Sequence, residues 1–519
     1  MHPTDTPAAG VDDLRRLRAD LAPYTAVAVE ERLGPVATAA LAREQRLPAL
    51  LALDPLPEHD PVAVLTALFR LALPVRRQAL DAALPTLRTA GAERCGLVAA
   101  AGHGPQDAVR PLLDLRPHAA LDALGPAHWW IASDLPAGAT PGPLRHDHVL
   151  GTGGASTTLA RSTVRATVGR ALDIGTGSGV QALHLARHTA HVTATDLSPR
   201  ALAYARFTLA LNGEPDVDLR RGDLLAPVAG ERYDLVVANP PFVITPRATT
   251  TPVYTYRDGG RSGDDVMAEL VSGAGDALSP GGVAQFLGNW EHHRGTPWQD
   301  RIAHWLQAAD LDAWVVQREV LDPAEYAEMW LRDSSSPGPS IPDGELYAAW
   351  LRDFAGRGVE AVGLGLITLR RPAVPRPPRP PRRRLEEVRT PVDRPLGDHL
   401  ARCLAAADWL ADHDDEHLLR AHLRVAGDVT EERHHLPGEE DPEVILLRQG
   451  DGFGRTVRAG TVLAGFVGAC DGELAAGAVA GALAHLLEVP VTDVLAELLP
   501  AVRDLVGDGF LIPPADRAG

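Results

Sequence analysis

"ALDIGTGSGV", residues 171–180, decides how the rest of the chain is read. Leu172 and Ile174 sit in a short strand-like run, glycines follow at Gly175, Gly177 and Gly179, and an apolar helical stretch starts at Val180. A dinucleotide-binding turn wants GxGxxG, and its third glycine would fall at Val180, so the spacing argues against that site. Glycines at a strand end let a ligand approach the backbone closely. The start of the following helix offers free N–H groups that suit a carboxylate. Asp173, just before the first glycine, can orient the turn or receive an ammonium group directly or through water.

Working outward, "HVTAT", "VDLRRGDLL" and "YDLVVA" alternate with helical stretches such as "DLSPRALAYARFTLALNG" and "DDVMAELVSGAGDAL". This β/α alternation predicts a largely parallel sheet with helices on both faces across residues 145–371. Asp196 ends the second strand about twenty residues after the glycines, where a carboxylate can accept both hydroxyls of a ribose. "DLSP" also reads as a helix start with Asp196 or Ser198 as cap. Asp223 follows the third strand, in position for the exocyclic amine of an adenine, and Leu224 beside it offers a backbone amide. An amino-acid end, a ribose and an adenine are the parts of S-adenosylmethionine, and that is the cofactor expected.

The fourth strand, "YDLVVA", runs into "NPPF" at Asn239, Pro240, Pro241 and Phe242. In an open parallel sheet the carboxyl ends of strands line the ligand crevice, so Asn239 is expected to face the glycines. A planar NH2 group is a weak nucleophile because its lone pair is delocalised, and it must be held with that lone pair aimed at the methyl carbon. The Asn239 side-chain oxygen and the Pro240 carbonyl can each accept one N–H. The prolines stiffen the corner and supply no competing donor. Phe242 adds a flat face for stacking.

The motifs "DIGTGSG", "TDLSP", "GDLL" and "NPPF", in this order, resemble the class I methyltransferases of the small methyltransferase type. "YRDGGRSGDDVMAELV", residues 256–271, is similar to the GGRxGxxVM segment of the HemK-like branch. The resemblance implies a Rossmann-like sheet and N-methylation of a glutamine amide in a translation release factor. It implies Asn239 to Phe242 as the catalytic loop and Gly259, Gly260 and Arg261 as a substrate-side loop. Many HemK-like enzymes carry tyrosine where this chain has Phe242. NPPF also occurs in enzymes acting on adenine or guanine amino groups of RNA, so an rRNA or tRNA target is the alternative. A non-catalytic cofactor-binding scaffold is the reading from another class. The expected partner is a macromolecule, either a release-factor-like protein or RNA of the ribosome. "DHVLGTGGASTTLA", residues 147–160, precedes the first strand, where related enzymes often cover the cofactor.

The whole chain, 519 residues, suggests about three domains at roughly 100 to 200 residues each. Residues 1–144 read as a mainly helical domain, with apolar positions recurring at three and four. Residues 372–384, within "RRPAVPRPPRPPRRR", read as an extended, solvated spacer or an RNA contact. Residues 385–519 form a C-terminal domain that is winged-helix-like at its end, from three helical stretches followed by "GFLI". A net charge of -18 disfavours broad adhesion to nucleic acid or anionic membrane. Three scattered cysteines, Cys95, Cys403 and Cys470, indicate neither a disulfide framework nor a zinc ribbon, and fit a reducing cytoplasm. No basic-then-apolar leader and no membrane-length apolar run is visible. With 20 histidines, pairs such as His146 and His148 are expected as solvent-exposed chance neighbours, and no metal is anticipated. Trp129 and Trp130 read as interdomain packing, and residues 332–345 as a serine-rich surface loop.

Overall fold

The computed structural model describes residues 6–514 apart from 123, 138, 140–143, 248–253, 308, 334–343, 374–379 and 393. Most of the serine-rich loop and the centre of the Pro/Arg stretch lie outside the described residues. The chain divides into two compact units, one of residues 1–160 and 167–387, the other of residues 161–166 and 388–519. No described helix is long and apolar enough to cross a membrane.

The N-terminal part of the first unit opens with short helices from Val11–Leu21 to Arg88–Arg94. Asp60 caps one of them through the Val62 N–H at 2.9 Å with Pro61 at the first helical position, which is why the chain turns into a helix there. The region is less uniformly helical than its periodicity suggests. It also holds a three-stranded sheet of Val75–Arg76, Val98–Ala100 and Ala108–Pro111, and a hairpin of Asp114–Asp122 with Gly125–Ser133. The hairpin gives a weak strand signal because it contains Pro117, tolerated in a two-stranded ribbon where each strand has a free edge.

The central sheet comprises eight strands: β1 (Val168–Ile174), β2 (Thr189–Asp196), β3 (Asp218–Arg221), β4 (Tyr233–Ala238), β5 (Leu278–His293), β6 (Asp312–Leu321), β7 (Val359–Arg370) and β8 (Arg383–Glu387). Their order across the sheet is β3-β2-β1-β4-β5-β7-β6-β8. β7 runs antiparallel to both its neighbours, and the other pairings are parallel. β4 is a continuous apolar run, with Leu235, Val236, Val237 and Ala238 all buried, as a strand covered on both faces requires. β8 begins inside the stretch read as a spacer, so Arg383 and Arg384 are sheet residues. The chain order reverses between β1 and β4, which opens a crevice at their carboxyl ends.

Helices α1 (Gly154–Ser162), α2 (Val180–Ala186), α3 (Pro199–Asn212), α4 (Asp265–Ala277), α5 (Trp298–Leu306), α6 (Pro323–Asp333) and α7 (Gly344–Arg357) accompany this sheet. α3 joins the two halves of the first unit, because its Ala201, Tyr204, Phe207 and Leu211 share one apolar cluster with the N-terminal helices. Polar contacts reinforce this seam. Arg18 donates to the carbonyls of Leu211 and Ala210 at 2.7 and 2.8 Å. The Asn212 amide exchanges hydrogen bonds with the backbone of Trp130. Trp129 packs edge-on against His184 of α2, so both tryptophans serve packing between these regions.

The second unit, by itself, carries helices at Gly397–Asp412 and Asp415–Arg420, then an antiparallel three-stranded sheet spanning Val429 to Ala459. Helices Thr461–Gly468, Ala476–Leu486 and Val491–Gly507 follow. Leu511–Ile512 closes against Arg424–Val425. The three-stranded sheet precedes these three helices in the chain.

Candidate active site

The glycine turn grows directly out of β1. Gly175, Gly177 and Gly179 have φ of 71°, 55° and 87°, values that side-chain-bearing residues rarely adopt. The last of them lies tight against α3, since a Cβ there would come within 3.3 Å of the Ala205 backbone. Asp173 is buried at the root of the turn, and neither of its carboxylate oxygens has a hydrogen-bond partner. Burial pushes its pKa up to about 7; the charge of Asp196 adds to the rise, and the nearby Thr176 hydroxyl offsets part of it.

Asp196 ends β2 and ties the turn to the next strand. Its Oδ2 accepts the Gly177 N–H at 2.9 Å and its Oδ1 the Ser198 N–H at 2.8 Å. Burial raises its pKa, and these N–H donors oppose the rise. Ser198, not Asp196, caps α3, accepting from the Ala201 N–H at 3.2 Å. The Asp196 carboxylate is therefore half committed to backbone donors, and each oxygen keeps further acceptor capacity.

Asn239 lies one residue beyond the register pair Ile174 and Ala238, so β1 and β4 carry it to the glycine turn. A Cβ on Gly175 would stand only 3.9 Å from the Asn239 carbonyl. The Asn239 amide nitrogen reaches the Ser156 hydroxyl of α1 at 3.4 Å, while its Oδ1 is buried without a partner. The Pro240 carbonyl already accepts the Phe242 N–H at 2.8 Å, which leaves it one lone pair rather than two. Phe242 is half-buried, its ring edge-on to Trp330 of α6 with centroids 6.4 Å apart.

Residues that sequence reasoning did not single out hold this corner in place. Ser156 also receives the Gln181 amide on its carbonyl at 2.7 Å, which joins α1 to the first turn of α2. The Gly151–Gly154 run leads into this helix: Gly151 packs against Ser133, and the Thr152 carbonyl accepts from Arg116. On the far side the Tyr326 hydroxyl accepts from the Ile244 N–H at 3.1 Å and from the Asn289 amide at 2.7 Å. The "GGAST" run and Gln181 in the first turn of α2 were the available signals for the first contact. Nothing local in the sequence signals the second.

The loop of Gly259, Gly260 and Arg261 abuts the corner. A Cβ on Gly259 would lie 3.2 Å from the Pro241 carbonyl and 2.2 Å from Val266 Cγ2, so only glycine fits. Gly260 has φ of 72°. Arg261 turns toward Asp223, with Nη2 to Oδ2 at 2.8 Å, and toward Glu269, with Nε to Oε2 at 2.8 Å. Asp223 lies just past β3, followed by Leu224 at a left-handed φ of 44°. Beyond the loop, buried Asp264 pairs with Arg301 and buried Glu291 with Arg357, fixing where α4 begins.

His148 departs from expectation: it is buried, with Nδ1 3.7 Å from Asp134. Among the described residues no group of three or more His, Cys, Asp or Glu could hold a metal ion.

This sheet order, glycine turn and strand-end corner define a class I methyltransferase fold, and residues 153–295 match the family model of the methyltransferase small domain. The flanks match two further models, described only as domains of unknown function: DUF7059 over residues 21–124 and DUF7782 over residues 401–513. Among curated proteins, the chain is 46% identical over 122 residues to the release factor glutamine methyltransferase of Deinococcus radiodurans, covering 22% of this chain and 43% of that protein. It is 36% identical over 151 residues to the ribosomal protein uL3 glutamine methyltransferase of Bradyrhizobium diazoefficiens, covering 27% and 46%. It is 33% identical over 153 residues to the ribosomal RNA small subunit methyltransferase C of Alcanivorax borkumensis, covering 30% and 42%. The chain thus spans less than half the length of these relatives.

Proposed function

We propose that the protein is an S-adenosylmethionine-dependent N-methyltransferase acting on a planar NH2 group, with the side-chain amide of a protein glutamine in a translation factor as its substrate. The observation that carries this reading is the buried, unpartnered Asn239 Oδ1 beside the glycine turn. An acceptor left without a partner in the interior costs about 1 to 3 kcal/mol, which a donor from a ligand would recover.

The residues present fit the cofactor. Asp173 has two unpartnered carboxylate oxygens for an ammonium group, the glycine turn leaves room for a carboxylate, and Asp196 keeps acceptor capacity for ribose hydroxyls. Asp223 and the Leu224 amide would take the adenine. When bound, the cofactor supplies an electrophilic methyl group on a sulfonium. The chain's own residues hold the acceptor. Asn239 Oδ1 and the remaining lone pair of the Pro240 carbonyl accept the two N–H bonds, leaving the nitrogen lone pair free to point at the methyl carbon. These same oxygens stabilise the positive charge that grows on nitrogen. Alignment of this kind can lower a barrier by roughly 7 to 11 kcal/mol in favourable cases.

Two of the three relatives above are named glutamine methyltransferases, which supports the amide as substrate. Phe242 and the likeness to a ribosomal RNA methyltransferase support a nucleobase amino group as the second reading. Incubation of the full chain with methyl-labelled cofactor and either a release factor containing a GGQ turn or ribosomal RNA separates them. Label on the glutamine is expected; label on RNA alone would reject the amide reading. Label on neither, with cofactor bound, would favour a scaffold.

A further inference from the structure

The resemblance implies a substrate-side place for Arg261, and its guanidinium is engaged on three sides by the chain itself. Nη2 donates to Asp223 Oδ2 at 2.8 Å, Nε to Glu269 at 2.8 Å, and Nη1 to the Gly259 carbonyl at 3.0 Å. Three anchors on three different segments leave a planar fork no freedom to turn. Its charge is held firmly in place by Asp223 first and Glu269 next, which raise its pKa.

Asp223 needs such a brace. Its side chain is 46% exposed, and among the described residues its Oδ1 has no partner. The following Leu224 adopts a left-handed φ of 44° and packs its side chain, partly buried, against the apolar cluster that includes Leu172 and Val236, while the Asp223 carboxylate stays partly exposed. With Oδ2 engaged by Arg261, the rotation of the carboxylate is fixed and Oδ1 is presented as a pure acceptor. A carboxylate oxygen in that state welcomes an N–H donor and repels a carbonyl oxygen.

We propose that Arg261 is a positioning residue that locks Asp223 as an acceptor, so that the site selects a purine bearing a 6-amino group over one bearing a 6-carbonyl. The inference rests on the cofactor reading above and adds to it the origin of base selectivity. Through Gly259, which abuts the Pro241 carbonyl, the same loop links the base-binding end to the acceptor corner.

The test is calorimetric binding of S-adenosylhomocysteine and its deaminated counterpart, S-inosylhomocysteine, to the full-length protein and to Arg261→Gln and Arg261→Lys. The wild type should favour the amino ligand by on the order of tenfold, from one hydrogen bond to a charged group. Arg261→Gln should cut that preference at least about threefold, with Arg261→Lys recovering part of it. A merely structural role would weaken both ligands alike and leave their ratio unchanged, and that outcome overturns the proposal. An unchanged ratio with unchanged affinities overturns it as well. Failure of the wild type to bind either ligand would instead sink the cofactor reading, and this inference with it.

Discussion

If Asp173 receives the ammonium group as proposed, its surroundings should make ligand binding depend on pH. Its carboxyl moves from 3.8 to about 7 because burial desolvates it and the charge of Asp196 adds to the rise, against the lowering pull of the Thr176 hydroxyl and the Ala182 backbone. A shift of that size separates the charged and neutral forms by on the order of 4 kcal/mol. The folded pKa is raised, so the free native protein holds a proton that the unfolded chain releases. Stability of the free protein should fall as pH rises through the window from 3.8 to about 7, and level off above it. A ligand ammonium needs the ionised carboxylate, so binding below that pKa must expel the proton. Affinity for S-adenosylhomocysteine should therefore rise about tenfold per pH unit below roughly pH 6.5 and flatten above roughly pH 7.5. Asp173→Asn should remove this slope, bind more weakly at high pH, and unfold at a higher temperature than the free wild type at pH 8. Titration calorimetry in two buffers of different ionisation heat counts the released proton. The ligand's own amino group stays protonated through this window, because its neighbouring carboxylate holds the ammonium, so it adds no slope there. Equal pH slopes in the wild type and Asp173→Asn, with no proton released at pH 6, would refute the reasoning.

Three further outcomes are expected. Asn239→Ala should bind cofactor within about twofold of the wild type yet lose at least about a hundredfold in kcat, because only the nitrogen-holding acceptor is removed; single-turnover labelling measures it. Asp196→Ala should weaken cofactor binding by at least about tenfold through loss of charge-assisted hydrogen bonds, and unchanged affinity in a binding titration would contradict the ribose assignment. Gly259→Ala places a methyl 2.2 Å from Val266 and 3.2 Å from the Pro241 carbonyl, so kcat should fall with cofactor affinity little changed. Paired binding and turnover measurements would show it.

The parts of the site legible in the sequence are those that one strand end carries by itself. Gly175 to Gly179, Asp196 and Asn239 each terminate a strand, and parallel pairing of β1 with β2 and β4 brings the three ends together without further information. Contacts between distant segments were not legible. Arg261 meets Asp223 across a sequence separation of 38 residues, and neither residue signals the other locally. Tyr326 supports the corner from 82 residues beyond Ile244. The internal ion pairs of Asp264 with Arg301 and Glu291 with Arg357 resemble surface charges in the sequence, since nothing short of the fold removes them from water. His148 is the same case, a chance neighbour by count that packing buries beside Asp134. The hairpin of Asp114–Asp122 and Gly125–Ser133 escaped because Pro117 and Pro126 interrupt its two strands.

Where the Pro/Arg stretch rejoins the sheet also bears on how the chain can be cut. β8 pairs along Ala313 to Gln317 of β6, an apolar run, and its own sequence, "RRLEE", presents charge at the rim. A truncation ending at Arg371 would strip that charged hem and bare a row of unpaired amides and carbonyls, an invitation to stacking between molecules. One ending at Val388 would keep the hem and its pairing with β6.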